Sequence, residues 1–238
     1  MVLAFCFNSS AGAVTILYGQ GHGLDVTRLS TYGGHSLGGT FTQSDSGWAS
    51  ALGGGLGAYD AIVLSHPAGP STLSAATIAA IGTYVSGGGR LIIGGDHGFD
   101  FITLSNAVFG YSVTFGGLGA GGASPISKTA AAAGTSFASA PSTVFDISAT
   151  DSLISAPGVV MYTGLGGDVV SMDTYGSGII GFFGWDFCCG DAAKMDDWYR
   201  VLDSSLTYSP VIIPEPSTAL LLGMGLVAMS ASRRLRGF

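Results

Sequence analysis

The sequence predicts a doubly wound α/β domain with a mostly parallel sheet, followed by a C-terminal hydrophobic helix. Short apolar runs at residues 14–18, 60–65 and 90–93 have the length and composition of buried strands. An amphipathic pattern at residues 74–86 predicts a helix between the last two runs. Strands that alternate with helices at this spacing favour a parallel sheet covered on both faces.

The helix at residues 74–86 has clear boundaries. Ser74 is a suitable N-cap, and the three glycines at residues 87–89 end the helix. Ile78, Ile81 and Val85 recur on one face, whereas Thr77 and Thr83 are predicted off that face. The other elements predicted in the first half are a strand at residues 39–42, helices at 48–56 and 99–109, and an extended segment at 111–115.

The second half begins with a segment that lacks an apolar period. Residues 116–140 are rich in Gly, Ala and Ser, which predicts a long flexible loop. Strands are predicted again near residues 143–145, 159–162, 168–172 and 178–184, before a final helix at 192–206. The buried stripe predicted for that helix consists of Trp198, Val201, Leu202 and Leu206.

Composition and charge exclude several classes of protein. Hydrophobic residues make up 47% of the chain and charged residues 10%, which argues against disorder. The 40 glycines follow no G-X-Y period, so the chain is not a collagen. Residues 14–213 hold five basic residues against fourteen aspartates, a net charge of −9. Because an acidic domain repels phosphate backbones, no nucleic-acid partner is expected.

The N-terminal segment at residues 1–13 has the pattern of a truncated signal peptide. An apolar run leads to Ala11, Gly12 and Ala13, the small residues that precede a cleavage site. Cleavage after Ala13 would leave Val14 as the first residue of the mature chain. The alternative is a short buried strand or helix that starts at Val2.

The C-terminal segment combines a hinge, an apolar run and a basic end. Pro214, Glu215 and Pro216 form an extended linker at residues 210–216, because proline stops regular structure. Residues 217–238 hold a predicted transmembrane helix, and its apolar run at residues 217–232 is about 24 Å long, short for a full span. The arginines behind it place the C-terminus in the cytoplasm and the domain outside; they are Arg233, Arg234 and Arg236.

This tail resembles the PEP-CTERM sorting signal in all three of its parts. The resemblance implies processing by an exosortase, a membrane protease of Gram-negative bacteria that make exopolysaccharide. It implies export, an inner-membrane anchor through the C-terminal helix before processing, and a cell-surface or extracellular location afterwards. Expected partners are therefore the exosortase, transiently the inner membrane, and exopolysaccharide.

The body also resembles a known fold. Residues 60–65, 85–96 and 178–186 resemble the central units of the class I glutamine amidotransferase-like fold and of trehalose-utilisation-like proteins. The resemblance implies a flavodoxin-like, doubly wound sheet over residues 14–209. In the enzymes a nucleophilic cysteine occupies the turn after such a strand, whereas this chain has Asp96 there, so amidotransferase activity is not implied.

Several polar residues directly follow predicted strands. Asp96, His97 and Asp186 are the candidate catalytic residues, since the carboxyl ends of parallel strands share one crevice. His22, His66 and Asp100 are candidate metal ligands at the same edge. The alternative is that Asp96 caps the following helix. No cofactor is predicted, because the glycine-rich loop at residues 19–23 lacks the lysine and the full spacing of a phosphate loop.

Three hypotheses of function follow. The first is a non-enzymatic envelope or matrix protein that associates with exopolysaccharide. The second is a secreted hydrolase or sugar-modifying enzyme that uses Asp96, His97 and Asp186. The third is a carbohydrate-binding module with aromatic stacking platforms chosen from Trp48, Tyr59, Trp185 and Trp198, of which Trp198 is favoured as a core residue. Cys188 and Cys189 are predicted as packing or incidental thiols.

Overall fold

A computed structural model describes residues 13–19, 23–55, 57–95, 99–119, 124–147, 150–187 and 190–210. The predicted signal peptide apart from Ala13, the loop residues His22, Asp96 and His97, and the two adjacent cysteines lie outside the described residues. So does the whole sorting tail, with Pro214, Glu215, Pro216, Arg233, Arg234 and Arg236.

The elements alternate in the first half of the chain and are mainly strands in the second. In order they are β1 (Thr15–Gly19), α1 (Val26–Gly33), β2 (Ser36–Phe41), α2 (Asp45–Gly53), β3 (Ala61–Leu64), α3 (Ala75–Ser86), β4 (Arg90–Gly94), α4 (Asp100–Phe109), β5 (Thr114–Leu118), β6 (Pro125–Lys128), β7 (Thr143–Phe145), β8 (Asp151–Ile154), β9 (Val159–Gly164), β10 (Gly167–Tyr175), β11 (Gly178–Phe183) and α5 (Ala192–Leu206).

One half of the sheet is parallel and doubly wound. Its strands lie in the order β2-β1-β3-β4-β11, and every neighbouring pair is parallel. This is the flavodoxin-like order, and it confirms the predicted fold class. The core lies on both faces, because side chains of α1 and α5 pack on one side and those of α2, α3 and α4 on the other.

The other half of the sheet is antiparallel, which the sequence did not predict. β10 pairs antiparallel with β11, and the sheet continues through β9, β6 and β7. β8 joins from the side, pairing with β10 and β5. The hairpin between β9 and β10 turns at Leu165 and Gly166, which have φ of 55° and 84°. A left-handed Leu is uncommon, whereas Gly166 adopts this conformation readily.

The described part of residues 116–140 is not the flexible loop that its composition predicted. In its described part it completes β5, forms β6 and makes two short 3₁₀ turns at Ala130–Gly134 and Ser136–Ser139. Ile126, Ala132 and Phe137 are fully buried. Lys128 Nζ donates to the carbonyl oxygens of Phe137, Ala138 and Ala140 at 3.1, 2.9 and 2.6 Å. β6 and the two 3₁₀ turns contribute one fully buried side chain each, which leaves no period to detect.

Helix predictions are confirmed where an amphipathic stripe is strong. α5 has the predicted bounds, and Trp198, Val201, Leu202 and Leu206 are buried along it. α3 begins after Ser74, whose side chain accepts from the amide of Thr77. The stripe prediction for α3 needs one correction, because Thr77 is buried and its hydroxyl donates to Asp45 Oδ1 at 2.6 Å.

Candidate functional site

The carboxyl edge of the parallel strands gathers three polar side chains that lie far apart in sequence. Tyr18 lies near the end of β1, Ser65 directly follows β3, and Asp186 follows β11. Their exposed fractions are 4%, 0% and 3%. Tyr18 shares a side-chain hydrogen bond with Ser65, and the carboxyl of Asp186 is close enough to act on the Tyr18 phenol electrostatically. The edge therefore carries a compact, buried polar cluster, Tyr18–Ser65–Asp186.

Burial sets the acidity of this cluster. The pKa of Tyr18 is raised to about 12, mainly by removal from water; the hydrogen bond with Ser65 lowers it in part, and the nearby Asp186 adds to the rise. The Tyr18 phenol therefore remains protonated at neutral pH. It can donate a hydrogen bond but does not act as a base there.

The backbone at this edge is held in unusual conformations. His66 and Phe187 have φ of 48° and 68°, the left-handed region that side chains other than glycine rarely adopt. Gln43 supports the loop that contains His66: its Nε2 donates to the carbonyl oxygens of Ser65 and His66 at 3.3 and 3.4 Å. Its Oε1 accepts from the amide of Ala68 at 2.9 Å. Such strain persists only where the surroundings impose it.

A further carboxylate, Asp151, was missed by the sequence analysis. It is the first residue of β8 and is fully buried. A Cβ placed on Gly95 would lie 3.2 Å from Asp151 Oδ2, so this side chain borders the start of the loop after β4. Asp151 belongs to the antiparallel extension, and nothing in its local sequence connected it with the parallel strands.

The structure describes three of the six candidate residues, and they differ in exposure. Asp186 lies in the buried cluster, whereas the side chains of His66 and Asp100 are exposed. Asp100 begins α4 and lies against the loop after β3, because a Cβ on Gly69 would be 2.5 Å from Asp100 Oδ1. Within the described ranges, no group of three His, Cys, Asp or Glu side chains could hold a metal ion.

The hypothesis of tryptophan stacking platforms is wrong. Trp48, Trp185 and Trp198 are 1%, 0% and 0% exposed. The rings of Trp185 and Trp198 lie 5.7 Å apart, and Trp198 Nε1 donates to the carbonyl of Phe145 at 2.9 Å. Tyr59 is half-buried. The large apolar area of each indole is used in the core, so none of the three offers a face to a sugar.

The buried Tyr18 phenol makes stability sensitive to alkaline pH. Its pKa of about 12 lies above the ordinary value of 10.0, so the folded chain keeps this proton longer than the unfolded chain. The stabilisation is complete below pH 10 and is lost as pH rises through 10 towards 12. We expect Tyr18 to account for a loss of about 1.4 kcal/mol between pH 7 and pH 11.

Urea unfolding of the wild type and of Tyr18→Phe at pH 7 and pH 11 measures this share. Burial also raises the pKa of Tyr111, Tyr162 and Tyr199, so both proteins lose stability. The variant should lose about 1.4 kcal/mol less than the wild type. Equal losses would show that Tyr18 does not titrate as its burial requires.

The amino edge of the sheet is where both ends of the described body emerge. Val14 directly precedes β1, and Tyr208 follows the end of α5. Arg90, the first residue of β4, fixes that end: its Nη1 donates to the carbonyl of Ser205 and its Nη2 to the carbonyl of Tyr208, both at 2.7 Å. β1 and β4 are parallel members of one sheet, so these two points share an edge.

Comparison with known proteins identifies the tail and the fold. Residues 213–234 match the family model described as the PEP-CTERM protein-sorting motif. No curated protein matches the chain. Among the described residues, no helix has the length and apolar character needed to cross a membrane.

Solved structures resemble the body. A cytoplasmic protein from Salmonella typhimurium LT2 is 19% identical, with a TM-score of 0.54, over 81% of this chain and 98% of that chain. A β-galactosidase from Bacillus circulans sp. alkalophilus is 11% identical, with a TM-score of 0.50, over 82% of this chain but only 30% of that chain. A ThuA-like protein from Bacteroides uniformis is 10% identical, with a TM-score of 0.49, over 86% of this chain and 94% of that chain.

These identities show a shared fold alone. The sorting motif implies an exosortase as the processing partner, with export and a membrane-anchored C-terminus before processing. The chain is therefore an exported protein in which a doubly wound α/β body is followed by a PEP-CTERM motif at residues 213–234.

Proposed function

We propose that this chain is a non-enzymatic protein of the cell envelope or extracellular matrix that associates with exopolysaccharide after its tail is processed. The observation that carries the proposal is the sorting motif at residues 213–234, which follows the folded body closely in the sequence. Five residues separate Tyr208 from Pro214. That tether spans at most about 20 Å, so the body stays close to the membrane until processing.

The position of the two ends supports this arrangement. Val14 and Tyr208 both lie at the amino edge of the parallel strands, so a membrane-anchored tail brings that edge towards the membrane. The carboxyl edge then faces away from the membrane. After processing, that edge and the sheet faces are available to the matrix.

The state of the carboxyl edge favours a non-enzymatic role. A substrate can react only with groups that it reaches, and Tyr18, Ser65 and Asp186 are each less than 5% exposed. Hydrogen bonds within the protein occupy the Tyr18–Ser65 pair. The cluster therefore has the burial expected of a structural polar network.

Intact-mass spectrometry of the exported protein in its host tests the sorting step. The wild type should be recovered at the surface or in the medium without Arg236. A variant with Pro214→Ala, Glu215→Ala and Pro216→Ala should remain in the membrane fraction at full C-terminal length. Pro210→Ala, a proline change outside the motif, serves as the matched control and should be sorted normally. Exported wild-type protein that still contains Arg236 would contradict the proposal.

Exopolysaccharide association is tested in a host that cannot make the polymer. The processed protein should move from the matrix to the medium in that host, at least fivefold more than in the parent strain. Equal retention in both strains would contradict association while leaving sorting intact, because the mass of the processed form is measured separately.

A second candidate function is hydrolysis or modification of a sugar polymer at the carboxyl edge. The observation that favours it is the placement of β4 between β3 and β11, so the loop that contains Asp96 and His97 starts between the loops of Ser65 and Asp186. Incubating the purified full chain with the host polymer distinguishes the two. Release of reducing ends by the wild type and by Asp60→Asn, a change at the amino edge, but not by Asp186→Asn, would support this candidate and contradict a non-enzymatic role.

A further inference from the structure

A buried histidine, His35, accepts a hydrogen bond from the backbone nitrogen of Val14, the first residue after the predicted leader. Val14 N donates to His35 Nδ1 at 3.1 Å, and His35 Nε2 lies 2.9 Å from Asp203 Oδ1. Val14 and His35 are 8% and 2% exposed, whereas Ala13 is exposed. This group, Val14–His35–Asp203, joins the start of β1, the end of α1 and the last helix.

The hydrogen bonds fix the tautomer of His35. An amide nitrogen can only donate, so His35 Nδ1 must accept and carries no proton. The ring proton is then on Nε2 and is donated to Asp203. The imidazole therefore has an acceptor facing Val14 and a donor facing a carboxylate, an arrangement that accepts either an amide or an ammonium group at Val14.

The surrounding structure leaves space for this arrangement and adds a second carboxylate. A Cβ on Gly33 would collide with His35 Nε2 and Asp203 Oδ1, so only glycine permits the pair to form. The next amide along the chain, that of Thr15, donates to Asp60 Oδ2 at 2.7 Å. The start of β1 thus has one carboxylate in direct contact, Asp60, and a second, Asp203, on the far side of the His35 ring. Among the described residues, no lysine or arginine side chain pairs with Asp203.

We propose that His35 and Asp203 form the receiving site for the α-amino group of Val14 after leader removal. Hydrolysis adds water across the Ala13–Val14 bond, leaving a carboxylate on Ala13 and an amine on Val14 that takes up a proton. One N–H of the ammonium donates to His35 Nδ1, and the others face the solvent that Ala13 occupied. The new positive charge lies across the imidazole from the Asp203 carboxylate, which stabilises the mature form relative to a neutral terminus.

This inference depends on the predicted cleavage after Ala13 and not on the proposed function. It gives leader removal a consequence for the fold, because the mature terminus binds His35, which Asp203 of α5 holds in place, and α5 is the helix that precedes the sorting motif. Both predicted processing events would then act on one side of the molecule.

The test compares two forms of the chain from Val14 to Phe238 in detergent, one with a free α-amine and one acetylated at Val14. Acetylation keeps one N–H for His35, puts an acetyl group where the Ala13 carbonyl was, and removes the charge. We expect it to lower Tm by about 3 °C in the wild type. In Asp203→Asn, acetylation should lower Tm by less than about 1 °C. Asp196→Asn, a carboxylate change on the same helix, should retain the full 3 °C difference.

An unchanged Tm on acetylation, or an equal decrease in Asp203→Asn, would overturn the proposal. If Asp203→Asn fails to fold, the acylation rate of the Val14 amine replaces it as the measurement. The acylation rate of the Val14 amine is divided by that of the Lys194 amine in the same sample. This ratio should be at least tenfold lower in the native wild type than in the wild type unfolded in urea. Equal relative rates would also overturn the proposal.

Discussion

Replacing Trp185 by alanine is expected to lower the free energy of unfolding by about 4 kcal/mol. Trp185 is fully buried, and its ring centroid lies 5.6, 5.7 and 5.8 Å from those of Phe187, Trp198 and Tyr199. This aromatic group packs α5 against the sheet directly beside Asp186. The substitution would remove one of the two indoles of that group and leave a cavity that its rigid neighbours cannot fill.

Urea unfolding at pH 7 measures this loss. Trp185→Phe is the matched control, because it keeps an aromatic ring, and it should cost about half as much. A loss below about 1.5 kcal/mol for Trp185→Ala would show that the site collapses around the missing indole, and that α5 is held mainly by other contacts.

Replacing Arg90 by leucine is expected to cost about 3 kcal/mol, since each of its two charge-assisted hydrogen bonds contributes about 1.5 kcal/mol. The carbonyl oxygens of Ser205 and Tyr208 would lose their guanidinium partner. Burial lowers the pKa of Arg90, yet the guanidinium stays charged at neutral pH. We expect the end of α5, which precedes the sorting motif, to loosen first.

Hydrogen exchange of the Thr207 and Tyr208 amides, together with urea unfolding, measures this effect. Arg90→Lys should retain about half of the stability, because an ammonium group cannot reproduce the planar fork. Arg200→Leu, which removes an exposed cation 4.7 Å from the centre of the Tyr32 ring, should cost less than 1 kcal/mol. Unchanged amide exchange in Arg90→Leu would show that α5 is anchored without this residue.

Local patterns predicted the elements whose signal is contained within one short segment. α5 has its buried stripe at helical spacing, and β1, β3 and β4 are short apolar runs buried on both faces. α1 was missed because its single buried side chain, Leu29, leaves no stripe to detect, although Asp25 caps it by accepting from the amide of Arg28.

Local sequence patterns predicted only part of the candidate site. Asp186 was a candidate because it follows a strand, and it lies at the carboxyl edge. Tyr18 and Ser65 gave no signal, since a tyrosine within an apolar run and a serine at its end are common in buried strands. Their burial beside Asp186 comes from the packing of β1, β3 and β11, which no single segment encodes.

By itself the sequence determined the sorting tail and the parallel half of the sheet. Both rest on order along the chain: a hinge, an apolar run and arginines in succession, or strands and helices in alternation. Only the tertiary structure decided the antiparallel half, the burial of the three tryptophans and the contact of His35 with Val14 and Asp203. These depend on strand register and on contacts across up to 168 residues, and the free energy of such contacts is shared among segments that are individually unremarkable in sequence.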